Sequence, residues 1–168
     1  RVFAEKKPVY SNLFFGAIKQ RLIVTVEVPV VRDGEVLYDI SFSPPIEIFQ
    51  TMVEQQRPGK DWTISIFDGE GSNFARVPNP QDTIGQKASP TLYAAMFRAP
   101  EATFATVSLE GVPLITSVSR STLTGWTVAA GIAATEPRRS PASHAFHIPS
   151  SDVRPSQRWN CWYTPTVR

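Results

Sequence analysis

Residues 61–77, DWTISIFDGEGSNFARV, carry the strongest indication of the fold of this chain. They contain two runs rich in β-branched and aromatic residues, and the Gly-Glu-Gly sequence at residues 69–71 between them is a turn signal. Pro78 follows the second run, and proline cannot donate a hydrogen bond to a sheet. The stretch therefore predicts two antiparallel strands, over residues 62–68 and 72–77.

The residues downstream of this hairpin predict one short helix and three further strands. Ser89-Pro90 is a helix start, because serine caps a helix and proline is tolerated in its first turn. The helix is expected to bury Leu92, Tyr93, Met96 and Phe97. The strands are predicted over residues 103–109, 112–120 and 126–132. The expected core of this module is Trp62, Phe67, Phe74 and Trp126.

From residue 60 onward the predicted order is strand, strand, helix and three strands. This order predicts an α+β domain with a five-stranded antiparallel sheet and a helical connection on one face. A doubly wound nucleotide-binding fold is excluded, because no alternation of strand, helix and parallel strand is present.

The residues upstream predict a second, incomplete module over residues 1–57. Runs at 22–31 and 35–42 flank Asp33-Gly34 and predict a hairpin. One face of its first strand carries Val24, Val26, Val28 and Val30. After Pro44-Pro45 the apolar residues recur at helical spacing as far as Arg57-Pro58-Gly59. A hairpin and a helix bury too little to close a core, so we expect them to end a preceding domain.

The charge of the chain is concentrated at its end. The 168 residues carry a net charge of +2, from 17 Lys and Arg against 15 Asp and Glu. Residues 1–132 hold 12 Lys and Arg against 13 acidic residues, a net of −1, and residues 133–168 hold 5 against 2, a net of +3. A body with balanced charge has no electrostatic footprint for nucleic acid, so we expect no nucleic-acid partner.

Both histidines and the cysteine lie in the last 36 residues: His144, His147 and Cys161. The body therefore lacks the side chains that most often shuttle protons, attack substrates or bind metals, and it is predicted to bind rather than react. A zinc site of the three residues is disfavoured, since no preorganised scaffold surrounds them. A calcium loop at residues 68–71 is disfavoured as well, because the later oxygen ligands are missing. No metal and no cofactor is predicted.

The chain resembles a double Cache domain, the PAS-like extracytoplasmic sensor of bacterial receptors. The resemblance covers about residues 8–132. Its motifs are Asp68, Gly71, Asn79-Pro80, Ile84-Gly85 and Gly125-Trp126, in that order and spacing. It implies that residues 1–57 are the C-terminal part of the membrane-distal half and that residues 60–132 are the membrane-proximal half. The segment is most similar to sensors of alphaproteobacterial histidine kinases, followed by those of diguanylate cyclases and chemoreceptors.

The resemblance also implies a ligand site. Amino-acid-sensing members place a Tyr-x-Asp pair before the hairpin and an Asp on its second strand, which correspond here to Tyr10, Asn12 and Asp39. Asn12 departs from the pattern because it lacks the negative charge of the aspartate. Without that charge, the binding of an ammonium group would be weaker by roughly 1.5 to 3 kcal/mol. Arg21 and Arg76 are alternative holders of an anion.

The last segment, residues 133–168, departs from the resemblance. It has five Pro, five Arg and five Ser, no Lys and no periodicity, which predicts disorder. A membrane helix would be expected after the Gly-Trp strand, so we interpret the segment as an aberrant end, either frameshifted or misassembled. Because Arg1 is not an initiator methionine, the chain is expected to begin inside a longer protein.

The leading hypothesis is a small-molecule-sensing, periplasmic domain of an inner-membrane receptor, truncated here and without a catalytic module. Its ligand would be an amino acid, an organic acid or a similar solute, and a homodimer is expected. One alternative is a small hydrolase that uses Asp68 and Glu70, although neighbouring turn carboxylates in water have little reason to acquire separated pKa values. Another is an adhesive module without a ligand.

Overall fold

The computed structural model describes residues 1–134. The strands in this part of the chain are β1 (Val9–Tyr10), β2 (Phe14–Gly16), β3 (Arg21–Ile23), β4 (Val26–Arg32), β5 (Glu35–Phe42), β6 (Trp62–Phe67), β7 (Asn73–Val77), β8 (Glu101–Val107), β9 (Pro113–Arg120) and β10 (Thr127–Ala133). The α-helices are α1 (Val2–Glu5), α2 (Ile46–Gln56) and α3 (Pro90–Arg98), and Pro80–Asp82 forms a 3-10 turn. None of the helices described is long and apolar enough to cross a membrane.

The five-stranded sheet is antiparallel throughout, in the order β7-β6-β10-β9-β8. Its strands show the expected alternation: in β9, Leu114, Thr116 and Val118 are buried while the residues between them are exposed. The predicted α+β fold is therefore confirmed. β10 continues to Ala133, one residue beyond the predicted end of the module.

The β4–β5 hairpin forms where it was predicted. Asp33 and Gly34 both have positive φ, 52° and 81°, the conformation that a two-residue hairpin turn requires. The predicted strand over 22–31 is nevertheless two strands. β3 pairs with β2, and β4 pairs with β1 and β5 after a break at Val24 and Thr25.

One face of this hairpin is apolar and open. Val26, Val28 and Val30 lie opposite Phe42, Ile40 and Tyr38, so all six side chains share that face. The other face is more polar, with Glu27 opposite Ser41 and Pro29 opposite Asp39. Tyr38, Ile40 and Phe42 are 68%, 61% and 63% exposed. We call these six residues the open face.

Helix α2 packs against the five-stranded sheet. Val53 is buried in one cluster with Val24, Ile64, Ile66, Phe74, Ala75 and Val77. Phe49 meets the rings of Phe74 and Trp126 edge-on, at centroid distances of 5.2 and 5.7 Å. Apolar residues from both sides of residue 57 thus share one core, and the domain boundary stays a prediction.

Two parts of the predicted core differ from the structure. Helix α3 buries Met96 and Ala95, whereas Tyr93 and Phe97 are exposed and pack on each other at 4.8 Å. A nine-residue helix lying on a sheet can bury only one narrow stripe, so four large side chains do not all fit. The core positions of Phe67 and Phe74 are confirmed, whereas Trp62 and Trp126 are only partly buried.

Candidate functional site

A polar groove of about 290 Å³ lies where the N-terminal residues meet two turns of the five-stranded sheet. It is lined by Arg1, Glu5, Pro8, Val9, Tyr10, Asn12, Gly69, Leu123 and Thr124. The groove brings together two of the five candidate ligand residues, Tyr10 and Asn12. We call it the Tyr10 groove.

Strand β1 positions Tyr10, which pairs with Val26 of β4. Its ring meets the indole of Trp126 edge-on, with the centroids 6.4 Å apart. Asn12 uses its side-chain oxygen to accept a hydrogen bond from the N–H of Gly69, at 3.1 Å. With that oxygen engaged, the amide NH2 of Asn12 is the end that remains to donate to a ligand.

The backbone of residues 11–13 is hydrogen-bonded to residues that adjoin β6 and β10 of the five-stranded sheet. Leu13 N–H donates to Oδ2 of Asp68 at 2.8 Å, and the indole N–H of Trp126 donates to the carbonyl of Ser11 at 3.2 Å. Oδ1 of Asp68 accepts from the amides of its own turn, at 2.9 Å from Glu70 and 2.8 Å from Ser72. Residues 11–13 are therefore held by bonds to two separate places on the sheet.

The rim of the Tyr10 groove carries one ion pair. Arg1, which precedes α1, and Glu5 at its end are four residues apart, and Arg1 Nε lies 2.9 Å from Glu5 Oε1. The hydrogen bond from Arg1 and its positive charge lower the pKa of Glu5 below its ordinary value. Glu5 is therefore a carboxylate at neutral pH, and the rim presents both signs of charge.

The other three candidates, Arg21, Asp39 and Arg76, lie on β3, β5 and β7. Arg21 is on β3, with its guanidinium 3.7 Å from the carboxylate of Glu47. Asp39 is exposed on the more polar face of β5, opposite Pro29. None of the three lines the Tyr10 groove.

Sequence reasoning did not identify the opposite wall of the groove. Gly69, Leu123 and Thr124 come from turns far away in the sequence, and Gly69 contributes only its backbone. A turn was predicted at Gly69, but no side-chain pattern marks either place as part of a site.

No group of three or more His, Cys, Asp or Glu side chains that could hold a metal ion occurs within the described residues. His144, His147 and Cys161 lie outside the described residues. So does the segment predicted to be disordered or aberrant, except for its first two residues, Ala133 and Ala134.

The fold is shared with sensor domains of known structure. The extracellular domain of mmHK1S-Z3, described as a histidine kinase, matches with a TM-score of 0.68 and 15% identity over 79% of this chain and 51% of that one. That of rpHK1S-Z16, also described as a histidine kinase, gives 0.63 and 18% over 76% and 54%. The sensory domain of the Campylobacter jejuni chemoreceptor Tlp3, solved with isoleucine bound, gives 0.55 and 15% over 79% and 53%.

Comparisons of the sequence with protein-family models and with curated proteins give no match. The chain spans about half the length of the solved structures that it resembles. The fold of this chain is therefore the α+β fold of the extracellular sensor domains of histidine kinases and chemoreceptors, as the resemblance to Cache domains predicts.

Proposed function

We propose that this chain is the ligand-sensing, extracytoplasmic part of a transmembrane signalling receptor with a histidine kinase as its parent protein. The observation that carries the proposal is the Tyr10 groove, where two of the residues implied by the resemblance meet on a sensor fold. A diguanylate cyclase or a chemoreceptor is the alternative parent.

The ligand class follows from the donors in the groove. Asn12 offers amide hydrogens where the amino-acid sensors have a carboxylate, and Tyr10 offers a hydroxyl. Tlp3 has been solved with isoleucine bound, so sensors of this fold can hold an amino acid. With a neutral Asn12, recognition here depends on the acceptor end of the ligand, which favours a small organic acid or the carboxylate of an amino acid.

Signal transmission would use the bonds that tie residues 11–13 to the sheet. A ligand that moves Tyr10 and Asn12 displaces the Asp68 turn and Trp126, which stands immediately before β10. Strand β10 is the last described strand, so it is the route to a membrane helix of the parent protein. The ligand shifts this equilibrium only by the difference between its affinities for the two states.

The proposal includes an organisation for the parent protein. Residues 1–57 end a membrane-distal half, residues 60–132 form a membrane-proximal half, and the receptor spans the inner membrane with both halves in the periplasm. The open face supports this organisation, because an apolar sheet face of that exposure is normally covered. The same exposure supports a homodimer.

The hydrolase alternative receives no support from the geometry. Both oxygens of Asp68 accept backbone N–H groups, and Glu70 is exposed with its carboxylate 3.6 Å from Lys87. These carboxylates hold a turn together, an arrangement that leaves no free pair for acid and base work.

The test is a ligand screen on the full chain. Thermal-shift assays with amino acids, organic acids and purines should show stabilisation by one class, and calorimetry gives the Kd. Tyr10→Phe removes only the hydroxyl and should weaken binding by about ten- to a hundredfold, since a hydrogen bond to a charged group contributes roughly 1.5 to 3 kcal/mol.

The matched control is Tyr38→Phe, which removes a hydroxyl from the exposed side of β5, outside the groove. Its Kd should equal that of the wild type. Turnover of a screened compound without any stabilisation would favour catalysis and contradict the sensor proposal.

A further inference from the structure

A second cavity lies between α3 and the five-stranded sheet. It has polar and apolar parts. The polar part comprises Thr63, Ser65, Arg76, Thr106 and Thr116, and the apolar part includes Phe67, Ala88, Leu92, Leu114 and Ala129. The two sites share none of their lining residues. We call it the Arg76 cavity.

Arg76 is a buried cation with spare hydrogen-bonding capacity. The residue is 4% exposed, and its Nε has no hydrogen-bond partner within the part of the chain described. Its Nη2 donates to both carboxylate oxygens of Glu110, each at 2.8 Å. A guanidinium binds a carboxylate best through two nitrogens at once, so one side of Arg76 is left unused.

Two threonines add a further donor. Oγ1 of Thr106 and Oγ1 of Thr116 are 2.7 Å apart and both residues are buried. Only one of the two hydroxyl hydrogens can lie between the oxygens, so the other is available to a guest.

Gly131 keeps space open beside these hydroxyls. A Cβ at this position would lie 2.7 Å from Thr116 Oγ1 and 3.1 Å from Leu114 Cδ1. Glycine inside a central strand weakens the strand, and it often marks a place where a ligand approaches closely. Gly131 lies in β10, which has paired strands on both sides.

The free space is small while Glu110 holds Arg76. It amounts to about 20 Å³, room for roughly one water molecule. Ser108 and Leu109, which line the cavity, belong to the same exposed turn that carries Glu110. Movement of this turn would release Nη2 and open the cavity to a larger guest.

We propose that the Arg76 cavity is a second ligand site, which takes a short-chain monocarboxylate in place of the Glu110 side chain. The ligand carboxylate binds Nε and Nη2 of Arg76 together and receives the spare hydroxyl hydrogen, and its short apolar tail lies against Leu92 and Leu114. The charge balance is unchanged, because one carboxylate replaces another. Glu110 is therefore an internal competitor of the ligand.

The experiment titrates the full chain with sodium acetate and sodium propionate by calorimetry and saturation-transfer NMR, with sodium chloride at equal ionic strength and neutral acetamide as references. Glu110→Gln removes the competing charge and should tighten propionate binding roughly two- to fivefold, the range expected for a partly exposed ion pair. Glu101→Gln, at an exposed carboxylate of β8, is the matched control and should change nothing. Tyr10→Phe should leave unchanged the propionate binding that Glu110→Gln tightens, which separates this site from any organic-acid binding in the Tyr10 groove.

Arg76→Lys should weaken propionate binding about tenfold or more, since an ammonium cannot form the two-pronged bond. If circular dichroism shows that this variant does not fold, Ser65→Val fills the cavity with a residue suited to a strand and should abolish binding. The proposal is overturned if folded Glu110→Gln binds propionate no better than chloride, if acetamide binds as well as acetate, or if Tyr10→Phe removes the binding that Glu110→Gln tightens.

Discussion

Asp68 is the single residue on which the connection between the N-terminal segment and the sheet depends most. It is 1% exposed and accepts three backbone N–H groups, from Leu13, Glu70 and Ser72. Asp68→Asn replaces one accepting oxygen by a donor, so at least one buried N–H loses its partner. We expect the free energy of unfolding to fall by about 1 to 3 kcal/mol, measured by urea denaturation.

The control for this prediction is Asp61→Asn, an exposed position just before β6. Its effect should stay within about 0.5 kcal/mol. Equal stabilities of the Asp68 and Asp61 variants would mean that the turn does not depend on a carboxylate.

Glu110 makes the stability of the chain depend on pH. Burial raises the pKa of Glu110, but hydrogen bonds from Ser108 and the backbone and the charge of Arg76 outweigh this, so the pKa lies below its ordinary value of 4.5. A carboxyl whose pKa is lower in the folded state than in the unfolded state stabilises the fold at pH values above its unfolded-state pKa. This stabilisation is lost as the pH falls through the folded-state pKa. At pH 7 the unfolding free energy of the wild type should therefore be ~0.2 to 1 kcal/mol higher than that of the Glu110→Gln variant. This range allows for solvent screening of a partly exposed pair.

The measurement is urea unfolding of both proteins at pH 7 and at about pH 3. Near pH 3 the difference should shrink, because Glu110 then takes up a proton in the wild type. A difference that is the same at both values would show that the carboxylate is not the cause.

The helices and hairpins lie as predicted wherever a local residue pattern marks a turn or a helix start. Asp33-Gly34 has the positive φ values of a hairpin turn, and the Pro44-Pro45 and Ser89-Pro90 pairs stand where α2 and α3 begin. The break at Val24 and Thr25 left no signal, because both residues favour strands and the break serves the pairing of β3 with β2. Pairing between distant segments is a tertiary property that local periodicity does not carry.

The same limit applies to the sites. Tyr10 and Asn12 were found by resemblance, whereas the turns that complete their groove carry only backbone and common side chains. Arg76 was singled out as an anion holder, but its partner Glu110 lies 34 positions away, and nothing in either local pattern connects them. Burial of a charge is decided by the packing of several strands together.

Helix α2 should depend on the sheet for its stability. Val53 is 4% exposed within the shared core, and the adjacent Met52 is 39% exposed. Val53→Ala removes two buried methyl groups and should lower the unfolding free energy by about 1 to 3 kcal/mol.

Met52→Ala is the matched control on the neighbouring position and should cost less than about 1 kcal/mol by the same denaturation assay. If both substitutions cost the same, α2 does not pack on the sheet as described here.

The open face is the surface that bears on the assembly of the molecule. A row of large apolar side chains on one face of a sheet is a surface that soluble proteins normally cover. The chain spans about half the length of the solved structures that share its fold. Under the proposed organisation, further residues of the receptor or a second copy of the chain would cover this face.

The isolated chain should accordingly self-associate through the open face. Ile40→Lys places a charge in the middle of the apolar row and should shift the protein toward monomer in sedimentation velocity at a fixed, high concentration. Ser41→Lys adds the same charge to the opposite face of the same strand, so net charge alone cannot explain a difference between the two variants. Because Ile40 is 61% exposed, its substitution should change the unfolding free energy by less than about 0.5 kcal/mol. Equal association of both variants would mean that the contact lies elsewhere and that the open face does not drive it.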